Sequence, residues 1–223
     1  MPRLSSLVLK TLAGLGITLP AGGLFGDWSL ATQQAKIQAS DKEASDAFGY
    51  SVSISSDGNT AILGAYYEDT GGTDAGAAYI FVRSGSTWTE QAKIQSSDIQ
   101  AGDLFGNSVS ISGDGNTAIV GAYYEDTGGD RAGSAYIFVR SGSTWTEQAR
   151  IQASDKQQSD YFGYSVSISG DGLTAIVGAY YEDTGATDAG AVYIFTRSGS
   201  TWSQQAKIQA SDKEAGDRFG NSV

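Results

Sequence analysis

The chain has 223 residues, with 14 Lys and Arg against 25 Asp and Glu, a formal charge of −11, and neither histidine nor cysteine. That balance repels phosphate backbones and disfavours nucleic acid, and the missing residue types remove zinc sites, Ser-His-Asp triads, cysteine nucleophiles and disulfides. Thirty glycines, twelve tyrosines and only two prolines point to many short strands joined by tight turns, and carboxylate-pair chemistry such as glycoside hydrolysis is the catalysis left open.

Residues 1–27 share nothing with the rest of the chain. Arg3 and Lys10 precede an uncharged run, Thr11 to Gly26, whose 16 residues include Pro20 and five glycines; it is too short and too weakly apolar to span a bilayer. A basic start and an apolar middle fit a secretory signal, yet Lys10 interrupts the run and no clean small-x-small cleavage site appears. The preferred reading is a retained docking segment that embeds in a larger assembly, as a bacteriophage tail or appendage protein would have.

From there the chain repeats itself. Phe48-Gly49, Phe105-Gly106, Phe162-Gly163 and Phe219-Gly220 recur every 57 residues, and Trp88, Trp145 and Trp202 keep the same step. Trp28 to Gln38 matches only the last strand of such a unit and, with its connector, fills 28–47. Within the first full period, Tyr50 to Ser55 alternates Val52 and Ile54 with serines, which predicts a half-buried strand. Asp57-Gly58-Asn59 predicts a tight turn. Thr60 to Tyr66 is more continuously apolar, with Ala61, Ile62, Leu63 and Ala65, and predicts a strand covered on both faces. A polar loop, Glu68 to Ala75, leads to a third strand, Ala77 to Arg83. Ser84-Gly85-Ser86 turns into a fourth, Thr87 to Gln95, and Ser96 to Asp103 returns to the next Phe-Gly.

A four-stranded antiparallel unit of this length reads as one propeller blade, and it buries too little apolar surface to stand without neighbours stacked face to face. The expected fold is therefore all-β. It has three complete blades, 48–104, 105–161 and 162–218, partial blades at 28–47 and 219–223, and a ring left incomplete within this chain. The aromatic positions Phe48, Tyr79, Phe81 and Trp88, with their copies, are the expected filling between blades. Three blades and a fraction cannot close, so the sequence reads as part of a longer protein; the alternative is that several copies combine to finish the ring.

Phe-Gly-x-Ser-Val at Phe105 to Val109, the Gly121-Ala122 pair ending the second strand, and Gly-x-x-Tyr-x-Phe at Gly133 to Phe138 together resemble the FG-GAP family of integrin-like propeller blades. The resemblance covers about Trp28 to Val223. It implies a propeller, a virion, cell-surface or extracellular location, and a role in adhesion or assembly. Two departures stand out. Tyr66, Tyr123 and Tyr180 replace the proline that often comes after the Gly-Ala pair. The hairpins Ser55 to Asn59, Ser112 to Asn116 and Ser169 to Leu173, where many members bind calcium, hold one acid each: Asp57, Asp114 and Asp171. Calcium wants six to eight oxygens, so the family's calcium does not carry over to those turns.

The most suggestive surface element is Tyr66-Tyr67-Glu68-Asp69-Thr70 and its copies at Tyr123 to Thr127 and Tyr180 to Thr184. Tyrosine offers rigid area and a hydroxyl, so Tyr67, Glu68, Asp69, Tyr124, Glu125, Asp126, Tyr181, Glu182 and Asp183 form a candidate site for a glycan or a host protein. In the plainer reading the first tyrosine packs between blades and the acids keep the loop solvated. A calcium site from Glu68, Asp69 and Asp74 with Asp46 is a further candidate, although the second copy holds Asp130-Arg131 where the first holds Thr73-Asp74. No cofactor is required by the pattern. A carboxylate enzyme is disfavoured because each blade offers the same acids in the same context, whereas catalysis needs two unlike environments. Asp41 to Glu43 reads as solvated charge pairing. The expectation is a non-enzymatic structural or adhesive surface protein, attached to other subunits through residues 1–27; a secreted module binding glycan or protein through the tyrosine loops is the rival.

Overall fold

A computed structural model describes residues 33–223; residues 1–32, with the expected docking segment and the first five residues of the leading strand expected at Trp28 to Gln38, lie outside them. Residues 33–39 carry no strand. The span 37–223 forms one compact unit, and every strand of the described residues falls within it.

Among the described residues twelve strands make three antiparallel sheets, each in simple chain order. The first sheet is β1 (Val52–Ile54), β2 (Thr60–Ala65), β3 (Ala77–Ser84) and β4 (Thr87–Ile94). The second is β5 (Ser108–Ile111), β6 (Thr117–Ala122), β7 (Ser134–Ser141) and β8 (Thr144–Ile151). The third is β9 (Phe162–Ile168), β10 (Thr174–Ala179), β11 (Ala191–Ser198) and β12 (Thr201–Ile208). These are the four-stranded units read from the sequence. The first strand is shorter than the Tyr50 to Ser55 alternation predicts in sheets one and two. In the third it begins earlier, at Phe162.

Local chemistry fixes each hairpin. Asp57 accepts the Ser55 hydroxyl and the Asn59 N–H, and Gly58 adopts φ +67°, which closes the β1–β2 turn. Those bonds, the Ser55 hydroxyl first, hold the exposed Asp57 carboxyl down at about 2. Between β3 and β4 the register slips at Ile80/Phe81, so Gln91 bulges out of the ladder; the slip recurs in the other two sheets. The bulge aims Gln91 at the next sheet, where Trp145 Nε1 donates to its Oε1 at 3.0 Å, and Trp202 donates likewise to Gln148 at 3.1 Å.

The core lies between sheets. Ile62, Ala78, Ile80 and Ile94 of the first sheet pack on Phe105, Val109, Ile111, Val120, Tyr136 and Phe138 of the second. Ile119, Ala135, Ile137 and Ile151 repeat this against Phe162, Val166, Ile168, Val177, Tyr193 and Phe195. Each fully buried isoleucine contributes about 1.5–3 kcal/mol, so the stack is the main source of stability. Polar threads cross the same junctions. Ser51 and Ser53 hydroxyls accept the Val109 and Ile111 N–H groups, and Ser110 accepts Ile168.

The sheets approach backbone to backbone at one point. A Cβ on Gly64 would stand 1.9 Å from the Gly106 carbonyl oxygen, and one on Gly121 would stand 1.9 Å from that of Gly163. Gly121→Ala should therefore cost about 3 kcal/mol, because only a shift of the whole neighbouring sheet makes room. Gly170, with nothing near its missing Cβ and an ordinary φ, should accept alanine at little cost. Urea unfolding followed by circular dichroism measures both.

Candidate functional site

The loop after β2 and the connector after β4 meet on one rim. Gly102, Leu104 and Phe105 donate their N–H groups to the carbonyls of Thr73, Asp74 and Ala75, and the later copies repeat the pattern. All the candidate residues of the tyrosine loops stand here, and the structure separates their roles.

Glu68, Glu125 and Glu182 turn inward and are buried, Glu182 completely. Lys93 Nζ lies 2.7 Å from Glu68 and 2.7 Å from Asp41, and Tyr79 Oη donates to Asp41 at 2.8 Å. The third sheet repeats this with Lys207, Glu182, Asp155 and Tyr193. In the second, Arg150 takes the lysine's place; it holds Asp98 at 2.6 Å but stands 3.7 Å from Glu125, and Ser134 Oγ supplies a bond to that glutamate at 2.7 Å. Gln95, Gln152 and Gln209 complete each cluster. Asp41 is thus a tie between connector and sheet and not the solvated pairing expected from sequence. Burial works against its charge, but the bonds from Lys93 and Tyr79 outweigh it and hold its pKa below the ordinary value. Burial, then the neighbouring acids, raises Tyr79, Tyr136 and Tyr193.

Asp69, Asp126 and Asp183 remain exposed but are engaged: each accepts the backbone N–H five residues on, from Asp74, Arg131 and Asp188 at 2.7–2.8 Å. They shape the loop. Among the described residues no three acidic side chains converge as a metal cluster, so Glu68, Asp69 and Asp74 are not brought together around one point. In the β1–β2 hairpins the single acids already accept hydroxyl and backbone hydrogens, and that donor set does not fit calcium.

The tyrosines are the exposed part of the site. Tyr66 stacks on Tyr67 with ring centres 4.1 Å apart and on Tyr50 at 4.6 Å. Tyr164 lies 5.2 Å from Tyr123 and 4.2 Å from Tyr180, and Tyr161 lies 5.4 Å from Tyr124 and 5.0 Å from Tyr181. The guanidinium of Arg131 sits 4.7 Å over Tyr124 and that of Arg218 4.9 Å over Tyr181. Tyr123 and Tyr180, the first of each pair, bridge neighbouring units through Tyr164; burial raises both their pKa values, and Tyr66 rises to about 12. Tyr67 is 41% exposed, whereas Tyr124 and Tyr181 are partly covered by their arginines.

Sequence reasoning missed two groups here. Leu104, Tyr161 and Arg218, just before each Phe-Gly, adopt φ of 56–57°, a left-handed backbone that bulky residues rarely take. Asp74, Arg131 and Asp188 do the same at 54°. Tyr161 and the arginines stand beside the tyrosine pairs. Their signal in the sequence was variation, Leu, Tyr and Arg at one repeat position, in copies otherwise nearly alike. The other missed group is the buried connector acids Asp103 and Asp160, which accept the N–H of Gln100 and Gln157 at 2.7 Å. Burial, then nearby acids, pushes their pKa up to about 6 and about 7 despite those bonds.

These buried charges have measurable consequences. Lys207→Met should leave Glu182 charged without its cation and cost about 3 kcal/mol in urea unfolding, and adding Glu182→Gln should recover most of that loss. Asp160 carries the opposite pH dependence to a salt-bridged acid. Its folded pKa exceeds the unfolded value, so its stabilisation is full below about pH 4 and is lost as pH rises through about 7. Asp160→Asn, whose amide oxygen still accepts the Gln157 N–H, should escape that loss, and its advantage over the parent should grow by about 1–3 kcal/mol between pH 4 and 8. Melting curves across that range measure it.

Comparison with known proteins bears on this architecture. No curated protein matches the chain by sequence. Among solved structures, Saccharomyces cerevisiae Sqt1 matches at 10% identity and TM-score 0.47, over 76% of this chain and 37% of its own. A putative 6-phosphogluconolactonase of Bacteroides fragilis matches at 15% and 0.49, over 73% and 39%, and the Pseudomonas aeruginosa periplasmic gluconolactonase at 13% and 0.47, over 73% and 40%. This chain spans well under half the length of each, and at such values the likeness carries nothing about what it binds or does. The model of the FG-GAP repeat matches residues 31–81, 88–138, 145–195 and 202–223, most of the sequence, and the chain belongs to the FG-GAP repeat family.

Proposed function

We propose that this chain is a non-enzymatic recognition and display protein of a virion or cell surface, and that the tyrosine rim is the face it presents to a glycan or a protein. The observation that carries this reading is where the copies differ. In the core, units 57 residues apart are nearly interchangeable. On the rim, Leu104, Tyr161 and Arg218, and Asp74, Arg131 and Asp188, give each junction its own chemistry around an unchanging tyrosine pair. A surface held on a rigid base, aromatic at its centre and varied at its edge, suits selective contact. The left-handed backbone of those variable residues is strain of the kind that collects at functional positions.

The acids support a non-catalytic role. In all three sheets they are neutralised by lysine or arginine, or spent on backbone N–H groups, in the same arrangement. The acids whose pKa values are raised, Asp103 and Asp160, are buried, whereas general acid–base work needs an unlike pair in a cleft open to substrate. Attachment to other subunits through residues 1–27 completes the proposal, and that segment lies outside the described residues.

The test is a glycan array and a panel of intact cells probed with the chain and with Tyr67→Ser, Tyr124→Ser and Tyr181→Ser combined. Losing the three outer rings should weaken any specific binding at least about tenfold, at about 1 kcal/mol or more for each hot-spot tyrosine. The melting temperature should stay near the parent's, because Tyr123 and Tyr180 still meet across the junction through Tyr164 and Tyr66 still packs on Tyr50. Unchanged binding by the triple variant would remove the rim from the function.

A further inference from the structure

The polar groups of the rim are spent almost everywhere except where the second sheet's loop meets the connector into the third. Arg83, Arg140, Arg150 and Arg197 use side-chain N–H groups on oxygens of their own chain, at Asn59, Gly142, Asp98 and Gly199. Arg131 is placed differently. Its guanidinium lies 4.7 Å over the Tyr124 ring, its ion pair with Asp130 is open at 3.9 Å, and the two side chains are 47% and 59% exposed. The polar group beside it is the Tyr161 hydroxyl, which in turn meets that of Tyr124. A guanidinium carries five N–H donors and each phenol one O–H, so donors here outnumber the acceptors that the described residues supply. Asp130 accepts only a long bond from Gln158, at 3.3 Å, and keeps lone pairs to spare. Open donors and an open acceptor thus stand side by side among aromatic rings.

We propose that Tyr124, Asp130, Arg131 and Tyr161 form a subsite for a neutral hexopyranose. The inference rests on the reading of the rim as a recognition face and names a glycan as its ligand. Neighbouring hydroxyls of a sugar ring accept from the planar guanidinium fork, and the Asp130 carboxylate accepts one of their protons in return. The ring beneath Arg131 holds the fork in position, so little side-chain freedom is lost on binding. Tyrosine supplies rigid area for the sugar's apolar C–H face and a hydroxyl at its edge. Neutrality follows from the surroundings. Asp126 and Asp130 flank the arginine in a chain of charge −11, a field that turns away uronic and sialic acids.

The sister units show that the fold requires neither Arg131 nor Tyr161. The equivalents of Arg131 are Asp74 and Asp188, and those of Tyr161 are Leu104 and Arg218, all on the same left-handed backbone. Arginine in the loop and tyrosine in the connector come together at this junction alone among the described residues. At the equivalent place the first loop offers Asp74 and a buried Leu104, and among the described residues no cation lies over Tyr67. On the third loop a guanidinium does reach the outer ring, Arg218 at 4.9 Å from Tyr181, but from the connector side and with an acid in the loop position. These three arrangements differ in side chain and not in backbone, so residues can be exchanged between them without disturbing the stack.

The full chain should be screened on an array holding neutral, uronic and sialic acid glycans, and its ligands titrated by calorimetry. Binding should be confined to neutral hexopyranosides and should change less than about twofold between low and high salt, since no net charge is neutralised. Arg131→Asp combined with Tyr161→Leu installs what the first unit carries; it should keep the parent's melting temperature and weaken the sugar at least about tenfold. Arg131→Lys keeps the charge but not the fork, and should lose most of the same affinity. Sugar binding that survives the Arg131 and Tyr161 exchange but is lost when Tyr67, Tyr124 and Tyr181 become serine would overturn this subsite and leave the rim as the recognition face. So would attachment to cells through a protein, with no sugar bound. Binding of acidic sugars only, or of none by a chain that also ignores every cell tested, would overturn the subsite, the last outcome taking the rim reading with it.

Discussion

Two backbones touch wherever one sheet meets the next, and the rest of the structure depends on that approach. Gly64 and Gly121 lie against the carbonyls of Gly106 and Gly163, and Gly106 in turn lies against the carbonyl of Ala77. With no Cβ on either side, the isoleucines of one sheet reach the phenylalanine and tyrosine rings of the next with no gap between them. Packing at this density leaves each unit little freedom to tilt. The loops at the rim are therefore set by the core and not by their own preferences. The parallel bridges Gly76–Phe105, Gly133–Phe162 and Gly190–Phe219 clamp loop and connector at the same level.

The family's repeat and the sheet are out of phase. The matched stretch 88–138 contains β4 of one sheet followed by β5, β6 and most of β7 of the next. A sequence unit is thus one strand short in its own sheet and one strand over in its neighbour's. Each matched stretch crosses a junction, although every sheet is itself built from four consecutive strands, so what ties one sheet to the next is the connector and the packed faces. Connector bonds add to this: Ser97 N–H reaches Glu147, and Asp98 reaches Tyr136 and Arg150, all in the sheet after it. Stability in such a stack comes from interfaces more than from single units.

Strand count, order and the turn at Asp57-Gly58 were legible because alternation and glycine placement are local signals. The aromatic filling between blades was legible through the 57-residue step: the copies Phe105, Tyr136, Phe138 and Trp145, and Phe162, Tyr193, Phe195 and Trp202, pack between sheets, while Phe48, Tyr79, Phe81 and Trp88 cluster on the first sheet itself. The fate of the acids was not. Glu68 and Asp69 are neighbours in sequence and look alike in a polar loop, yet one is buried on Lys93 and the other faces solvent. That division is decided by a lysine 25 residues away and an aspartate 52 residues before that lysine. Register, and not composition, brings them together: Lys93 is paired with Tyr79 across β3 and β4, which points both at the connector. The left-handed residues at Leu104 and Tyr161 were hidden for a similar reason, since only the bonds to Asp74 and Arg131 force that backbone on side chains that resist it.

The second sheet shows how tightly this polar core is set. Arginine at position 150 cannot bring its fork as close to Glu125 as lysine comes to Glu68 or Glu182, and the separation rises from 2.7 to 3.7 Å. Of the three equivalent positions at the head of the third strand, Ala77, Ser134 and Ala191, only that of the second sheet has gained a hydroxyl, and it donates to Glu125. An unsatisfied carboxylate in this place would cost more than the junction can spare, so the two changes belong together. Differences on the rim obey no such pairing. Leu104, Tyr161 and Arg218 share one backbone conformation and one carbonyl partner each, while their side chains are free to differ. The chain therefore keeps its chemistry fixed where sheets meet and lets it vary just before each Phe-Gly, where one backbone conformation carries a buried Leu104, a half-buried Tyr161 and an exposed Arg218.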